Sequence, residues 1–411
     1  MVDFELSSDI AAQREQLHML AEQAMRPIAR DYDEREHEKP WDFINMMWQL
    51  SKASDIGPGK EGKQEGKPKA ADAARNLRTV IAVEELSWGD AGLYLSIPGP
   101  GLGGAAVQAV GTPEQKERFL SRFKGDKPVW SAMAITEPGA GSDSAAIQAT
   151  AVRDGDHWVL NGTKIFCTSG LMAGDPKNSN GFIVVWATVD RSAGRAGIKS
   201  FIVDAGTPGM TVAKCEDKLG IRASDTATLI FEDCRIPFAN ILGSPEVPKT
   251  SEGFKGVMAT FDATRPIVAA SALGVGRAAL DFVREELKKQ GVEIRYGVAP
   301  QKLTAIERDF MDMETQLQAA RLLTWRAAWM MDNGQKNNLE ASMAKAKAGL
   351  VVTQVTQKAV EMLGPLGYSR QLLVEKWMRD AKINDIFEGT QQINMMIIAR
   401  RILGYTSKEL S

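Results

Sequence analysis

Cysteine and histidine are scarce in this chain, three of each in 411 residues. Cys167, Cys215 and Cys234 are odd in number and match no metal-binding spacing, so neither a disulfide framework nor a metal centre is expected. His18 falls in an amphipathic helical pattern, His37 in a charged stretch and His157 at a hairpin. None has a serine or cysteine in a nucleophile motif to partner it, so a histidine-based triad is not expected. No apolar run reaches the roughly 18 residues that a membrane span needs. The first ten residues, MVDFELSSDI, are acidic where a secretory signal would be basic and then apolar. A reducing cytoplasm is the expected compartment. A basic surplus is missing too. Lys and Arg number 50 against 52 Asp and Glu, so nothing in the charge balance points to nucleic acid.

Hydrophobic residues make up 44% and charged residues 25%, ordinary for a globular enzyme. The length exceeds what one core usually organises, so two or three domains are expected. Residues 1–130 read as an N-terminal α-helical domain. Leu17, Leu20, Met25 and Ile28 recur at helical spacing, and Pro113 suits a first helical turn. The Gly- and Lys-rich stretch 57–76 interrupts this pattern as a solvated loop. From about Trp130 the period changes to two. DGDHWVLNGTKIFCTSG reads as a hairpin, with Asp-Gly and Asn-Gly as turn signals. GFIVVWATVD, KSFIVDAG and TATLIFEDCRIP continue the strands, giving a β-barrel-like domain at 131–245, taken as antiparallel because no helices intervene. Residues 246–411 carry four long helical patterns that suit a four-helix bundle. The expected fold class is therefore α+β, ordered helical, β, helical.

Three short stretches bear on chemistry. GPGLGG, residues 99–104, satisfies G-x-G-x-x-G, but helical flanks and the lack of a βαβ pattern argue against a dinucleotide fingerprint. AMAITEPGAGSDSAA, residues 132–146, offers free backbone N–H groups and two hydroxyls. It suits the edge of a heteroaromatic ring or a phosphate, or a plain strand-to-loop turn. In DIFEGT, Glu388 stands between bulky apolar residues and a glycine. It is either a solvated carboxylate near a helix start or a base whose pKa is raised by desolvation.

TEPGAGSD, NGTKIFCTSG, FDATRP at 261–266 and MRDAKINDIFEGT at 378–390 occur in an order and spacing that resemble the acyl-CoA dehydrogenase family along almost the whole chain. The resemblance implies FAD as cofactor, an acyl-CoA thioester as substrate and α,β-dehydrogenation. Electrons would leave for an electron-transfer flavoprotein. Glu388 would be the catalytic base. Ile135, Thr136, Gly141, Ser142, Phe166, Thr168, Tyr296, Gly389, Thr390 and Gln392 would contact the flavin. Ser142, Phe261, Asp262 and Arg265 would lie along the substrate. Acyl-CoA oxidases, elimination enzymes and a nucleic-acid-associated, non-catalytic branch share the scaffold and remain alternatives.

The chain departs from the family pattern where the ADP half of FAD would be gripped. The arginine of Arg-x-x-Phe-Gly is Glu293 here, in EIRYG. An expected glutamine is Thr304, and Glu361 and Pro365 replace further contacts. Arg295 would compensate only with a backbone shift. In this family the two halves of the flavin site come from different subunits. The expectation is therefore a homotetramer with altered FAD binding, or a hetero-oligomer with a paralogous partner.

Overall fold

A computed structural model describes residues 5–53, 74–247, 252–406 and 409. Most of the expected loop at 57–76, residues 57–73, lies outside the described residues. The N-terminal region carries α1 (Ser8–Leu20), α2 (Ala29–Glu34), α3 (Trp41–Ala53), α4 (Arg75–Ser96), α5 (Gly101–Val110) and α6 (Pro113–Leu120). The middle region carries β1 (Ser131–Ala134), β2 (Thr150–Asp154), β3 (His157–Thr168), a short α7 (Gly170–Gly174), β4 (Phe182–Thr188), β5 (Ile198–Asp204), β6 (Met210–Cys215) and β7 (Thr226–Pro237). The last region carries α8 (Glu252–Lys289), α9 (Ala305–Asp332), α10 (Asn338–Leu363), α11 (Pro365–Tyr368), α12 (Val374–Ala381) and α13 (Gln391–Leu403). The α+β class and the helical, β, helical order stand. GPGLGG opens α5, not a strand-to-helix nucleotide turn.

The strands join in the order β1-β4-β2-β3-β7-β6, with β5 also on β4. The sheet is mixed, which corrects the expected purely antiparallel domain. β1 runs parallel to β4, pairing Ser131 with Phe182 through Ala134 with Val185. Parallel pairing needs a long connection, and the hairpin of β2 and β3 supplies it. The Asn161-Gly162 pair is not a turn either. It lies inside β3, where the register with β7 shifts between Leu160 and Gly162.

Strand β4 is buried along its whole length. Its period of two splits it between two cores. Ile183, Val185 and Ala187 face a core shared with β3 and β7. Phe182, Val184 and Trp186 face a second one, closed by Ala106 and Val107 of α5 and Phe119 of α6. Each of the Ile, Val and Phe side chains contributes roughly 1.5–3 kcal/mol on burial. An alternating strand would leave one face wet; FIVVWA is apolar throughout because helices cover its other face.

The two helical regions share one core. Ala21, Met25, Trp88 and Leu93 pack with Leu273, Phe310, Val352 and Trp377. Helix α4 approaches α8 so closely at Gly274 that a Cβ there would lie 2.3 Å from the Glu84 carbonyl oxygen. Charges pin the layers. Lys376 of α12 is held between Asp90 Oδ2 at 2.5 Å and Asp380 Oδ2 at 2.6 Å. Asp380 Oδ1 accepts the Ile221 N–H of the β region at 2.6 Å. One buried knot thus ties all three regions just before the chain enters DIFEGT.

Helix α8 forms the axis of the C-terminal region. Its segment Thr260–Lys289 is long and apolar enough to cross a membrane by length and composition alone, contrary to the expectation that no span of that kind occurs. Yet 78% of that apolar window is buried within the protein, as a core helix requires.

Candidate active site

The turn between α12 and α13 carries Glu388 and Gly389, both in the left-handed region, at φ 52° and 93°. Glycine takes that geometry freely, but glutamate is strained there. Thr390 then caps α13, its hydroxyl accepting the Ile393 N–H at 3.3 Å. The cap and the turn fix where Glu388 leaves the backbone.

The Glu388 carboxylate meets α8. Thr264 donates its hydroxyl to Oε2 at 2.6 Å. Arg265, next in sequence, is buried and pairs with Asp262 at 2.7 Å. Pro266 lacks an N–H, so it withholds the usual helical donor from the Asp262 carbonyl one turn back. Burial pushes the Glu388 pKa above its ordinary value of 4.5, and Thr264, Arg265 and Lys345 only partly offset it. Tyr94 of α4 also responds. Burial, then the Glu388 charge, raises its phenol. Glu388 is therefore not a plain solvated carboxylate. Among the described residues no group accepts the Glu388 N–H, which leaves it available to a carbonyl oxygen.

A second cluster forms where β1 ends. Lys164 is fully buried and donates to the Ile135 carbonyl at 3.0 Å and to Glu137 Oε1 at 2.7 Å. The Glu137 carboxylate in turn accepts the N–H groups of Gln148 at 2.6 Å and Ala149 at 2.9 Å. Burial lowers Lys164 to about 8 despite that pair. This clamp holds both ends of the TEPGAGSD loop, while Gly141 and Ser142 stay exposed, with open space around Gly141. The Thr136 carbonyl accepts the Ile165 N–H at 2.9 Å. The next residue, Phe166, takes φ 57° at a second register shift of β3 and stays 61% exposed. Thr168 pairs with Thr226 at the strand end, half-buried.

Helix α8 links the two clusters. Phe261 lies one turn before Thr264 and packs against the core that contains Ile135 and Met133. A strained, exposed aromatic face, open glycines and partly accessible threonine hydroxyls suit the face and edge of a planar ring. The donor set at β1 and β3 therefore fits a flavin.

Not every expected residue joins this centre. Gln392 is exposed on α13. Tyr296 is 58% exposed, and its hydroxyl donates to Glu314 at 2.8 Å beside Arg284. Arg284 stands twenty residues beyond Thr264 on α8, roughly 30 Å along the axis. Tyr296 therefore lies well along α8 from the Glu388 cluster. Arg295 is committed inward. It grips Glu307 through Nε at 2.6 Å and a terminal nitrogen at 2.8 Å. Glu307 and Thr304 form the capping box of α9, so Thr304 serves the helix start. Arg295 therefore does not offset the exposed Glu293, and Glu361 and Pro365 are also exposed.

Three residues went unnoticed in the sequence. Thr264 stood inside FDATRP without being singled out. Lys345 lies on the buried stripe Ala341, Lys345, Ala348, Val352 of α10, where a charge breaks the apolar pattern. Tyr94 carried no signal beyond its place in an apolar helix.

Models of three acyl-CoA dehydrogenase domains match the chain: the N-terminal domain at 7–125, the middle domain at 132–234 and the C-terminal domain at 251–403. The mitochondrial short-chain specific acyl-CoA dehydrogenase of Rattus norvegicus is 38% identical over 387 residues, covering 93% of this chain and 87% of that protein. Butyryl-CoA dehydrogenase from Megasphaera elsdenii superposes with a TM-score of 0.83 at 33% identity, covering 98% of this chain and all of that one. A chain in the structure reported as "Electron transferring flavoprotein of Acidaminococcus fermentans" gives a TM-score of 0.82 at 34% identity, with 98% and 100% covered.

Proposed function

The chain belongs to the acyl-CoA dehydrogenase family, whose cofactor is FAD, and we propose that it removes the α proton and β hydride of a short acyl-CoA thioester to form the 2-enoyl-CoA. One observation carries this reading. Glu388 is a half-buried carboxylate whose surroundings raise its pKa, fixed on a left-handed turn and held by Thr264 at 2.6 Å.

A carbon acid α to a thioester needs a base of raised proton affinity and a donor for the carbonyl oxygen. Burial gives Glu388 the first. The Glu388 backbone N–H supplies the second. The proton passes to the carboxylate, and its C–H electron pair becomes part of the new double bond. Bound flavin supplies the two-electron acceptor for the β hydrogen. Ile135, Thr136, Gly141, Ser142, Phe166, Thr168, Gly389 and Thr390 are the residues that would hold the flavin, with Phe166 against its face. Ser142, Phe261, Asp262 and Arg265 line the path of the acyl-CoA. Tyr94 is close enough to feel the Glu388 charge, and a short acyl chain is the proposed substrate. The small-chain names of two relatives support that length.

An electron-transfer flavoprotein is the proposed acceptor, and the cytoplasm the proposed compartment. Tyr296, roughly 30 Å along α8 from the base, serves the flavin of a neighbouring subunit. That subunit is a second copy or a paralogue. The domains are taken as 1–130, 131–245 and 246–411.

Anaerobic mixing with butyryl-CoA should bleach the flavin in the wild-type protein. Glu388→Gln should bind flavin equally and lose about 10²–10⁴-fold in the bleaching rate, the usual worth of a general base. Bleaching of the variant at the wild-type rate would remove Glu388 from the chemistry. Rapid turnover in oxygen with no other acceptor would reassign the protein as an oxidase.

A further inference from the structure

The buried stripe of α10 contains one charge. Lys345 is 1% exposed and sits among Ala341, Ala344 and Ala348. Buried lysines usually send the ammonium to solvent or pair it with a carboxylate. Lys345 does neither. Its Nζ donates to the Gly389 carbonyl at 2.6 Å, and among the described residues no carboxylate pairs with it directly. The same carbonyl accepts Asn394 Nδ2 at 2.8 Å. Two donors thereby lock the peptide that follows Glu388, in a turn where two successive residues hold positive φ.

The charged and titratable groups around Glu388 come from four elements: Tyr94 on α4, Asp262 and Arg265 on α8, Lys345 on α10, and Asp385 in the turn itself. Arg265 pairs with Asp262 and still acts on Glu388, more strongly than Lys345 does. Lys345 differs in having no direct carboxylate partner among the described residues and in holding the turn itself through the Gly389 carbonyl. We propose that Lys345 is a positioning residue for the base: its ammonium locks the Glu388–Gly389 turn through the Gly389 carbonyl and, alongside Arg265, lends positive charge that favours the ionised form of the Glu388 carboxylate. The cost of this arrangement falls on the lysine, which burial lowers to about 8 even with Glu388 and Asp385 pulling the other way. A lysine kept for packing alone would be replaced by methionine without effect on a carboxylate.

The inference rests on Glu388 as base only in its kinetic arm. The test uses the flavin-loaded full chain with Lys345→Met, which drops donor and charge, and Lys345→Gln, which keeps a donor. The Glu388 carboxyl is titrated by infrared difference spectroscopy, with Glu388→Gln as the blank. Both variants should shift that titration to higher pH, corresponding to at least about tenfold tighter proton binding. The acid limb of flavin reduction should move with it. Lys345→Met should also lower the plateau rate, while Lys345→Gln retains most of it. If the methionine variant fails to fold, the glutamine variant alone decides the charge effect. An unmoved carboxyl titration in a folded variant overturns the proposal. If the titration moves but no acyl-CoA bleaches the flavin, the role of Lys345 stands and the substrate reading falls.

Discussion

Glu84 and Glu388 are both glutamates walled in by helices, and the protein treats them in opposite ways. Glu84, on α4, pairs with Arg321 at 2.7 Å and Arg277 at 3.0 Å, while Arg277 also grips Glu85. Burial works to raise its pKa, but the two arginines outweigh it and the net shift is downward. Glu388 has one hydroxyl in direct contact, and burial wins. The same contrast separates two lysines. Lys376, between two carboxylates, is raised in spite of burial, whereas Lys345, on a carbonyl, falls to about 8. Charges that hold the layers together are paired in excess. Glu388 and Lys345 at the candidate active site lack direct ion-pair partners among the described residues, so burial sets the direction of their shifts.

Stability against pH should break the contrast most visibly. Glu84→Gln leaves Arg321 short of its partner and should cost about 3–5 kcal/mol near pH 7. Its folded pKa lies below 4.5, so the stabilisation is present above that value and is lost as pH falls through the depressed pKa. The gap between wild type and variant should close in acid. Glu388 has the opposite sign. Its folded pKa lies above 4.5, so its stabilisation is present in acid and is lost as pH rises through the raised pKa. Glu388→Gln should therefore be as stable as wild type or more so at pH 7, and the difference should vanish in acid. Thermal melts of both variants from pH 4 to 8 measure this. Equal losses at pH 7 would erase the distinction between the two sites.

Thr264→Val should have a smaller effect. It removes the O–H that favours the ionised carboxylate, a charge-assisted bond worth about 1.5–3 kcal/mol. The acid limb of flavin reduction should rise by about one pH unit or more, and Thr264→Ser should restore it. Restoration by serine separates the hydroxyl from the methyl group, because valine keeps the shape. An acid limb that stays fixed in valine would mean that Thr264 does not tune the base.

The contrast also bears on what the sequence could disclose. Periodicity marked the helical, β, helical order because each layer buries one repeating face. It could not reveal that β1 pairs parallel with β4, since pairing partners lie about fifty residues apart and leave no local pattern. Asn161-Gly162 has the composition of a turn, but long-range pairing with β7 holds it inside β3. At the candidate site, Glu388 was visible through its odd neighbours and Phe166 through its motif. Thr264 and Lys345 act through distances across 124 and 44 residues of chain, and spacing along the sequence carries no trace of those.

The smallest effect should come from Glu293, four residues beyond the end of α8. It is exposed, unlike Glu84 and Lys345, so solvent and salt screen it. Facing a flavin pyrophosphate in an assembled oligomer, it would repel by no more than about 1 kcal/mol, roughly fivefold in affinity. Arg295 cannot relieve this while Glu307 holds it in two places. Glu293→Arg should thus tighten flavin binding severalfold at low salt and much less at high salt. Equilibrium flavin titration of the chain purified alone, at two ionic strengths, reads it out. Tightening that persists in high salt would point to a specific contact instead of a screened charge. No change at either salt would mean that Glu293 does not face the pyrophosphate, and that a partner chain with a different surface meets the flavin there.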